Sequence, residues 1–242
     1  GDYFATERSI WVKPFGSIAS QNAMNNVPGY RTNGSGLAVG VDGNISDNAW
    51  LGGVIAYSYN TINGNSDPAA SSLGINSLQF NYTSYTSHIG VGIRKALPVT
   101  SQINLFPLLR IDYAAVNADA YQESGAAYGL NLNVSSQLYQ ELMLTAGLKG
   151  DFQVTDKVRL TANAGIGYNT LNNQTQVTAS FSGGGDSFVT TGLNFSHWLY
   201  SAGLGVVALQ KKDVDLSARY DGQVSPTGYV NQMASIRLSV RY

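Results

Sequence analysis

The closing stretch Ala234-Ser235-Ile236-Arg237-Leu238-Ser239-Val240-Arg241-Tyr242 places an apolar residue at every even position and a polar one at every odd position. An extended strand, whose side chains point to alternate faces, separates these two sets; a helix mixes them. The segment before it behaves the same way. Val214, Leu216, Ala218 and Tyr220 oppose Asp215, Ser217, Arg219 and Asp221. Further back, Val158, Leu160, Ala162, Ala164, Ile166 and Tyr168 alternate with Arg159, Thr161, Asn163, Gly165, Gly167 and Asn169. Leu138, Leu142, Leu144, Ala146 and Leu148 oppose Tyr139, Glu141, Thr145, Gly147, Lys149 and Asp151.

The pattern runs back to the start of the chain. Ile103, Leu105, Leu109, Ile111 and Tyr113 oppose Asn104, Arg110 and Asp112, and Ile89, Val91 and Ile93 oppose His88, Gly90, Gly92 and Arg94. Leu51, Ile55, Tyr57 and Tyr59 oppose Gly52, Ala56 and Ser58; Leu37, Val39 and Val41 oppose Gly36, Ala38, Gly40 and Asp42. A first strand runs from Ser9 to about Ile18, with Lys13 on the polar side. Ten alternating segments are counted, and the fold class is all-β: a single antiparallel up-and-down barrel with an even number of strands.

Composition says which way the barrel faces. Charged residues are 12% of the 242, about half the usual share, while Gly is 27 and Tyr 15. A large soluble β-sandwich points its apolar face inward and needs a charged exterior, which this chain cannot supply. A membrane barrel inverts the faces, with apolar side chains to lipid and a polar lumen. The expected pore lining is then Lys13, Asp42, Arg94, Arg110, Asp112, Glu141, Lys149, Arg159, Asp215, Arg219, Arg237 and Arg241, charges of both signs. Either they brace the wall as a salt-bridge lattice, or they set what passes and hold an inserted segment. Tyr57, Tyr59, Tyr113, Tyr168, Tyr200, Tyr220 and Tyr242 lie near strand ends on the apolar face, where aromatic girdles sit; tryptophan is expected with them.

Connections support this orientation. Tight turns fall near Gly43–Asp47, Pro98–Ser101, Thr155–Asp156 and Lys211–Asp213. Longer or Gly-rich links fall near Gln21–Gly29, Ile62–Leu73, Glu123–Ala127, Gly183–Asp186 and Gln223–Gly228. Short turns on one side and long loops on the other are the habit of outer-membrane barrels. No run approaches 18 apolar residues, and Gly1 follows no charged-then-apolar leader, so a signal peptide is expected to have been removed or left off.

Several function classes drop out. A formal net charge of -1 offers no nucleic-acid patch, and the absence of Cys removes disulfides, thiolate zinc sites and cysteine nucleophiles. Gly34-Ser35-Gly36 and Gly183-Gly184-Gly185 lack the Lys-Ser/Thr and helix of a phosphate loop. His88 and His197 are the two histidines, and neither neighbours an acidic pair in sequence. No cofactor or metal is expected, and no enzymatic activity.

Ser9-Ile-Trp-Val-Lys-Pro-Phe-Gly-Ser17, then Gly36-Leu-Ala-Val-Gly-Val-Asp42 and Leu51-Gly-Gly-Val-Ile-Ala-Tyr-Ser58, resembles the opening of the autotransporter translocator (β) domain. Ala218-Arg-Tyr-Asp221, a Gly-containing hairpin and a last strand ending on Tyr242 resemble its close, and Glu123-Ser-Gly125 is a further match. The resemblance implies type V secretion at the bacterial outer membrane: a lipid-embedded monomeric barrel whose N-terminal passenger connects through a lumenal linker helix. It also implies that the barrel-assembly machinery reads Ile236, Leu238, Val240 and Tyr242. On this division residues 1–8 are the tail of the linker and residues 9–242 the barrel. The family pattern is twelve strands against the ten counted here. Some members cut themselves in the lumen at an Asn-Asn bond with an inward carboxylate. That activity is not carried over to Asn25-Asn26 or Asn172-Asn173, nor a part in it to Asp112 or Glu141. The rival readings are a small porin or adhesive barrel working through its pore or loops, and an outer-membrane enzyme using a histidine.

Overall fold

The computed structural model describes residues 8–24, 29–46, 49–64, 81–124, 129–171, 176–191, 194–210 and 214–241. The barrel strands are β1 (Ser9–Gln21), β2 (Tyr30–Ser46), β3 (Ala49–Gly64), β4 (Asn81–Lys95) and β5 (Ile103–Ala118). They continue as β6 (Gln137–Thr155), β7 (Val158–Asn169), β8 (Trp198–Gln210), β9 (Val214–Val224) and β10 (Tyr229–Arg241). Each pairs antiparallel with its neighbour in sequence, and Ile10 opposite Val240 joins the last strand to the first. The ring therefore closes at ten strands, the number counted from the alternation. In hydrocarbon, closure is what satisfies every wall amide.

The register fixes the bore. Paired residues lead from Gly43 through Leu51, Ile93, Leu109, Ala146, Ile166, Tyr200, Val224 and Val230 to Ser20 on β1. Gly43 lies one residue past Asp42, the partner of Ser9, so one circuit climbs β1 by about 12 residues. With strands about 4.8 Å apart and a rise of about 3.3 Å per residue, this stagger sets a tilt of about 40° and a backbone radius of about 10 Å.

The apolar face does point outward. Leu204 is 69% exposed and Ile55 67%, while Asp215, Asp151, Arg237 and Lys149 are buried. Tyr57, Tyr59, Tyr168, Tyr200 and Tyr220 are exposed on the outer face toward the long-loop end, where Tyr168 meets Trp198 edge-on at 4.8 Å. Tyr242 lies outside the described residues. Two of the three tryptophans depart from the girdle expectation: Trp11 and Trp50 are buried inside the barrel, while Trp198 is exposed beside Tyr168. Alternation cannot reveal this, because it sorts residues by polarity and both tryptophans occur on the face it labels polar.

The connections correct one expectation. β1 and β10 meet at the short-turn rim, with Ser9 opposite Arg241. The β9–β10 link, expected to be long, is a tight four-residue turn (225–228) at the opposite rim, where Ser225 N–H donates to the Tyr229 carbonyl at 2.9 Å. The β5–β6 and β7–β8 loops instead build a second sheet. Tyr121–Gln122 and Leu132–Val134 come from the first loop, and Gln176–Phe181 and Phe188–Thr191 from the second.

Because lipid and lumen faces alternate, substitutions one register step apart on the paired strands β5 and β6 should differ sharply. Ile111→Arg on the lipid face is expected to destabilise the refolded barrel by about 2–4 kcal/mol, and the lumenal Thr145→Lys by much less. Urea unfolding in lipid vesicles measures both, and equal effects would contradict the inverted facing.

Candidate functional site

All twelve charged residues expected on the inner face point into the barrel, at two levels with different character. At mid-height the lumen is open enough to be wet. Arg110 donates to both oxygens of Asp112, Nη2 to Oδ1 at 2.6 Å and Nε to Oδ2 at 3.2 Å, and His88 Nε2 lies 3.0 Å from the same Oδ1. Asp112 thus binds two groups at once and is half-buried beneath them. Arg219 reaches Asp221 at 2.9 Å and also donates to Asn163 Oδ1 across two strands. Glu141, opposite Ala114 and one strand pair from His88, is exposed to the lumen, and Lys13 stands at intermediate exposure.

Space for these side chains comes from glycines directly across the strand pair. Asp112 faces Gly90, Arg110 faces Gly92, Asp221 faces Gly203 and Arg219 faces Gly205. A Cβ on Gly90 would lie 2.1 Å from Asp112 Oδ1, and one on Gly203 equally close to Asp221 Oδ1. The inward glycines therefore accommodate particular neighbours. They do not merely widen the bore.

Toward the short turns the lumen fills. Arg237 Nη2 donates to Asp42 Oδ2 at 2.8 Å, a pair 195 residues apart in sequence, while its guanidinium carbon sits 4.3 Å from the centre of the Trp11 ring. Arg94 lies over both Trp50, at 5.4 Å, and Phe106, at 5.9 Å; Lys149 covers Phe106 at 5.7 Å. Asp151 holds Lys149 at 3.1 Å and Arg159 at 3.5 Å, and Asp215 holds Arg241 at 2.5 Å. Phe106 is 1% exposed and Val207 0%.

Among the described residues this layer holds five cations (Arg94, Lys149, Arg159, Arg237, Arg241) and three carboxylates (Asp42, Asp151, Asp215). The π faces of Trp11, Trp50 and Phe106 supply further negative potential for the excess, an interaction that strengthens when water is excluded. The result is a plug across the short-turn mouth, built from the wall itself. Seven expected lining residues belong to this layer: Asp42, Arg94, Lys149, Arg159, Asp215 and Arg237, which are buried, and Arg241, which is partly exposed. Trp11, Trp50 and Phe106 are the members that the alternation does not single out, while Asp151 lies on the polar face with Lys149 as the alternation places it. Four-residue alternation of charge with aromatic (Trp50 against Arg94, Phe106 against Lys149) becomes visible only when the register is known.

At the other rim, Gln21 Nε2 donates to the Thr227 carbonyl at 2.6 Å, and Tyr82 stacks on Tyr121 with centroids 4.7 Å apart. Glu123 accepts from Leu132 N–H at 3.2 Å, yet burial under the loop sheet raises its carboxyl above the usual range. His197 is occupied structurally, its Nδ1 2.7 Å from the Asn169 carbonyl and its ring stacked on Tyr168. Asn25-Asn26 and Asn172-Asn173 lie outside the described residues, as do residues 1–7. Among the described residues no group of three or more His, Asp or Glu is placed to hold a metal.

Comparison with known proteins agrees on one architecture. The family described as the autotransporter beta-domain matches residues 10–81 and 70–221. Outer membrane protein A of Rickettsia rickettsii is 23% identical over 96% of this chain, which spans 12% of that relative's length. The translocator domain of the autotransporter NalP from Neisseria meningitidis superposes with a TM-score of 0.63 at 18% identity, covering 100% of this chain and 90% of that one. The outer membrane protease OmpT of Escherichia coli also superposes, with a TM-score of 0.57 at 8% identity over 100% and 99% of the two chains. At such identities the structural likeness speaks to the fold alone.

The plug makes a quantitative claim on stability. Asp42→Ala leaves the buried Arg237 guanidinium without its carboxylate, an expected loss of about 3–5 kcal/mol. Adding Arg237→Met should restore part of that loss, because no uncompensated charge remains. A double-mutant cycle by urea unfolding checks it, and strictly additive losses would dissolve the pair.

Proposed function

The chain belongs to the autotransporter β-domain family of the bacterial outer membrane, and from that premise we propose that its barrel anchors and exports a passenger joined ahead of β1. The observation that carries this reading is the placement of Ser9 at the short-turn rim, the periplasmic side in barrels of this kind. Polypeptide preceding β1 therefore approaches the lumen from the periplasm. Above the plug it meets a wall lined by polar groups, among them Asp112 seated over Gly90, Arg110 over Gly92 and Arg219 over Gly205. On this reading residues 1–8 belong to the linker. No nucleotide or cofactor takes part, and folding of barrel and passenger supplies the drive.

The mid-lumen charges Lys13, Arg110, Asp112, Glu141 and Arg219 are then the groups that a lumenal segment touches, and those of the plug hold the mouth closed. The barrel works as a monomer and without catalysis; His88 serves to fix Asp112 and Arg110 to each other. The final strand, with Ile236, Leu238 and Val240 outward, is the surface offered to the barrel-assembly machinery, Tyr242 completing it. An alternating, aromatic-capped strand can pair by edge addition before the ring closes. The porin reading is weaker on one specific ground, the packed Trp11–Trp50–Phe106 layer across the bore.

Two experiments test the proposal. In the full-length protein expressed in the outer membrane, deletion of Tyr242 together with Val240→Ala is expected to lower the amount of folded, heat-modifiable barrel sharply; unchanged assembly would remove the signal role. In planar bilayers the refolded chain is expected to conduct little, and Trp50→Ala with Phe106→Ala to conduct far more. A steady, large conductance from the unsubstituted chain would instead favour a porin.

A further inference from the structure

The barrel wall and the sheet above it separate at one joint. In the wall, β5 and β6 pair as far as Ala118 opposite Gln137, and in the outer sheet pairing resumes with Tyr121 opposite Val134. Asp119, Ala120, Ser135 and Ser136 fall in neither ladder. Asp119 N–H turns to the Thr83 carbonyl of β4 at 2.9 Å, and Ser135 N–H to the Thr178 carbonyl of the β7–β8 loop at 3.1 Å. The chain segments diverge here and leave a partly enclosed cavity of about 60 Å³. Its lining includes Tyr82, Asp119, Tyr121, Ser135, Gln137 and Tyr139.

Three aromatic rings and one carboxylate meet at this cavity. Tyr82 and Tyr121 stack with their planes within 8° of parallel, and the Tyr139 hydroxyl donates to the side-chain oxygen of Gln137. The Asp119 carboxylate is positioned by the Thr83 hydroxyl, which donates to it. Burial, and then the neighbouring Glu123, push the Tyr121 phenol up to about 12, so at neutral pH this ring is an uncharged π surface. The surroundings have one sign. Residues 111–148 and 160–210 carry Asp112, Asp119, Glu123, Glu141 and Asp186, and no lysine or arginine. Such a field draws a cation in and turns an anion away. Size narrows the choice, because the cavity holds a few waters or one small head group and excludes a sugar ring. A single carboxylate is a poor cage for calcium, which takes about six to eight oxygens. Aromatic faces beside a carboxylate suit an organic ammonium.

We propose that the cavity at the β5–β6 joint binds an organic ammonium group, with Asp119 as counter-ion and Tyr82, Tyr121 and Tyr139 as its aromatic walls. The long-loop rim faces away from the periplasm, so the site meets molecules outside the cell. This goes beyond the export reading and does not depend on it. A methylated head group of the choline type and the primary ammonium of a lysine side chain share the required chemistry. They differ in what the lining must supply. A quaternary nitrogen has no N–H and is held by charge and π faces, whereas a primary ammonium also donates to the oxygens of Asp119, Ser135 and Gln137.

The test uses the full-length protein in a sugar-headed detergent, titrated by calorimetry with tetramethylammonium, with butylammonium and with tert-butanol, an uncharged body of similar shape. The expected result is binding of one or both cations with a Kd on the order of millimolar, and none of the alcohol. Asp119→Asn and Tyr121→Ala are each expected to weaken that binding at least about fivefold with heat-modifiable mobility unchanged, while Tyr121→Phe, which keeps the ring, retains it. Tighter binding of tetramethylammonium assigns the site to a choline-type head group, and tighter binding of butylammonium to a lysine side chain. Should a variant misfold, Ser135→Cys decides, in a barrel otherwise free of cysteine. Its alkylation is expected to slow in the presence of the cation and not of tert-butanol, and no protection overturns the proposal. Absence of binding by either cation, equal binding of tert-butanol, or binding untouched by both Asp119→Asn and Tyr121→Ala also overturns it. None of these outcomes bears on passenger export.

Discussion

Every backbone amide of the wall must find a partner inside hydrocarbon, and the remaining features of this protein follow from how that requirement is met. Pairing β10 back to β1 closes the ring at ten strands, and the stagger of the register then sets a backbone radius of about 10 Å. Interior volume is thereby fixed before any side chain is placed. Large inward residues can be seated only where the neighbouring strand yields space, which is why Trp11 lies across from Gly40 and Phe15 across from Gly36. A Cβ on Gly40 would come within 2.2 Å of the Trp11 ring. The high glycine content is thus a packing requirement of a narrow barrel, written in pairs.

Placing five cations in a dry layer is unfavourable unless each finds compensation, since unpaired buried charge is among the most destabilising features a protein can carry. Here compensation is shared. Asp151 serves both Lys149 and Arg159, and Arg237 is held by a carboxylate on one side and an indole face on the other. Sharing makes the layer cooperative, because loss of one member strands another. It also makes the layer suited to sealing: an aqueous hole of this bore would breach the membrane, and the layer is tied to nine different strands. The tie runs through β1, β2, β3, β4, β5, β6, β7 and β10, with Asp215 adding β9.

Sequence reading reached the wall and stopped at the register. Period-2 alternation is a local property, so strand number and lipid-facing residues such as Ile111 and Leu204 were legible directly. Charge pairs two apart on one strand, Arg110 with Asp112 and Lys149 with Asp151, share a face by the same rule. Asp42 with Arg237 could not be read, because partners on different strands depend on turn lengths and the stagger of the whole ring. Trp50 and Phe106 were missed for another reason. Polarity is the signal that assigns faces, and these residues are apolar on the inward face, where cations make them useful. The outer sheet escaped because Leu132–Val134 and Phe188–Thr191 are too short for periodicity and sit among Gly- and Asn-rich links that read as loop.

A ten-strand ring brings sealing and export into competition for the same space. An α-helix with its side chains is about 10–12 Å across. Within a backbone diameter of about 20 Å it fits only where the wall presents little beyond Cβ. In the middle the glycines are covered by Phe15, Arg110, Asp112, Arg219 and Asp221, which would have to swing aside. The layer of Trp11, Trp50, Phe106, Arg94 and Arg237 is fuller still, since all five side chains are buried there. Polypeptide occupying the periplasmic mouth must therefore displace these side chains, and the displaced cations must find new partners or water. Whatever passes through this barrel is consequently favoured when it carries carboxylates or aromatic faces of its own, since those would replace, group for group, what the plug gives up.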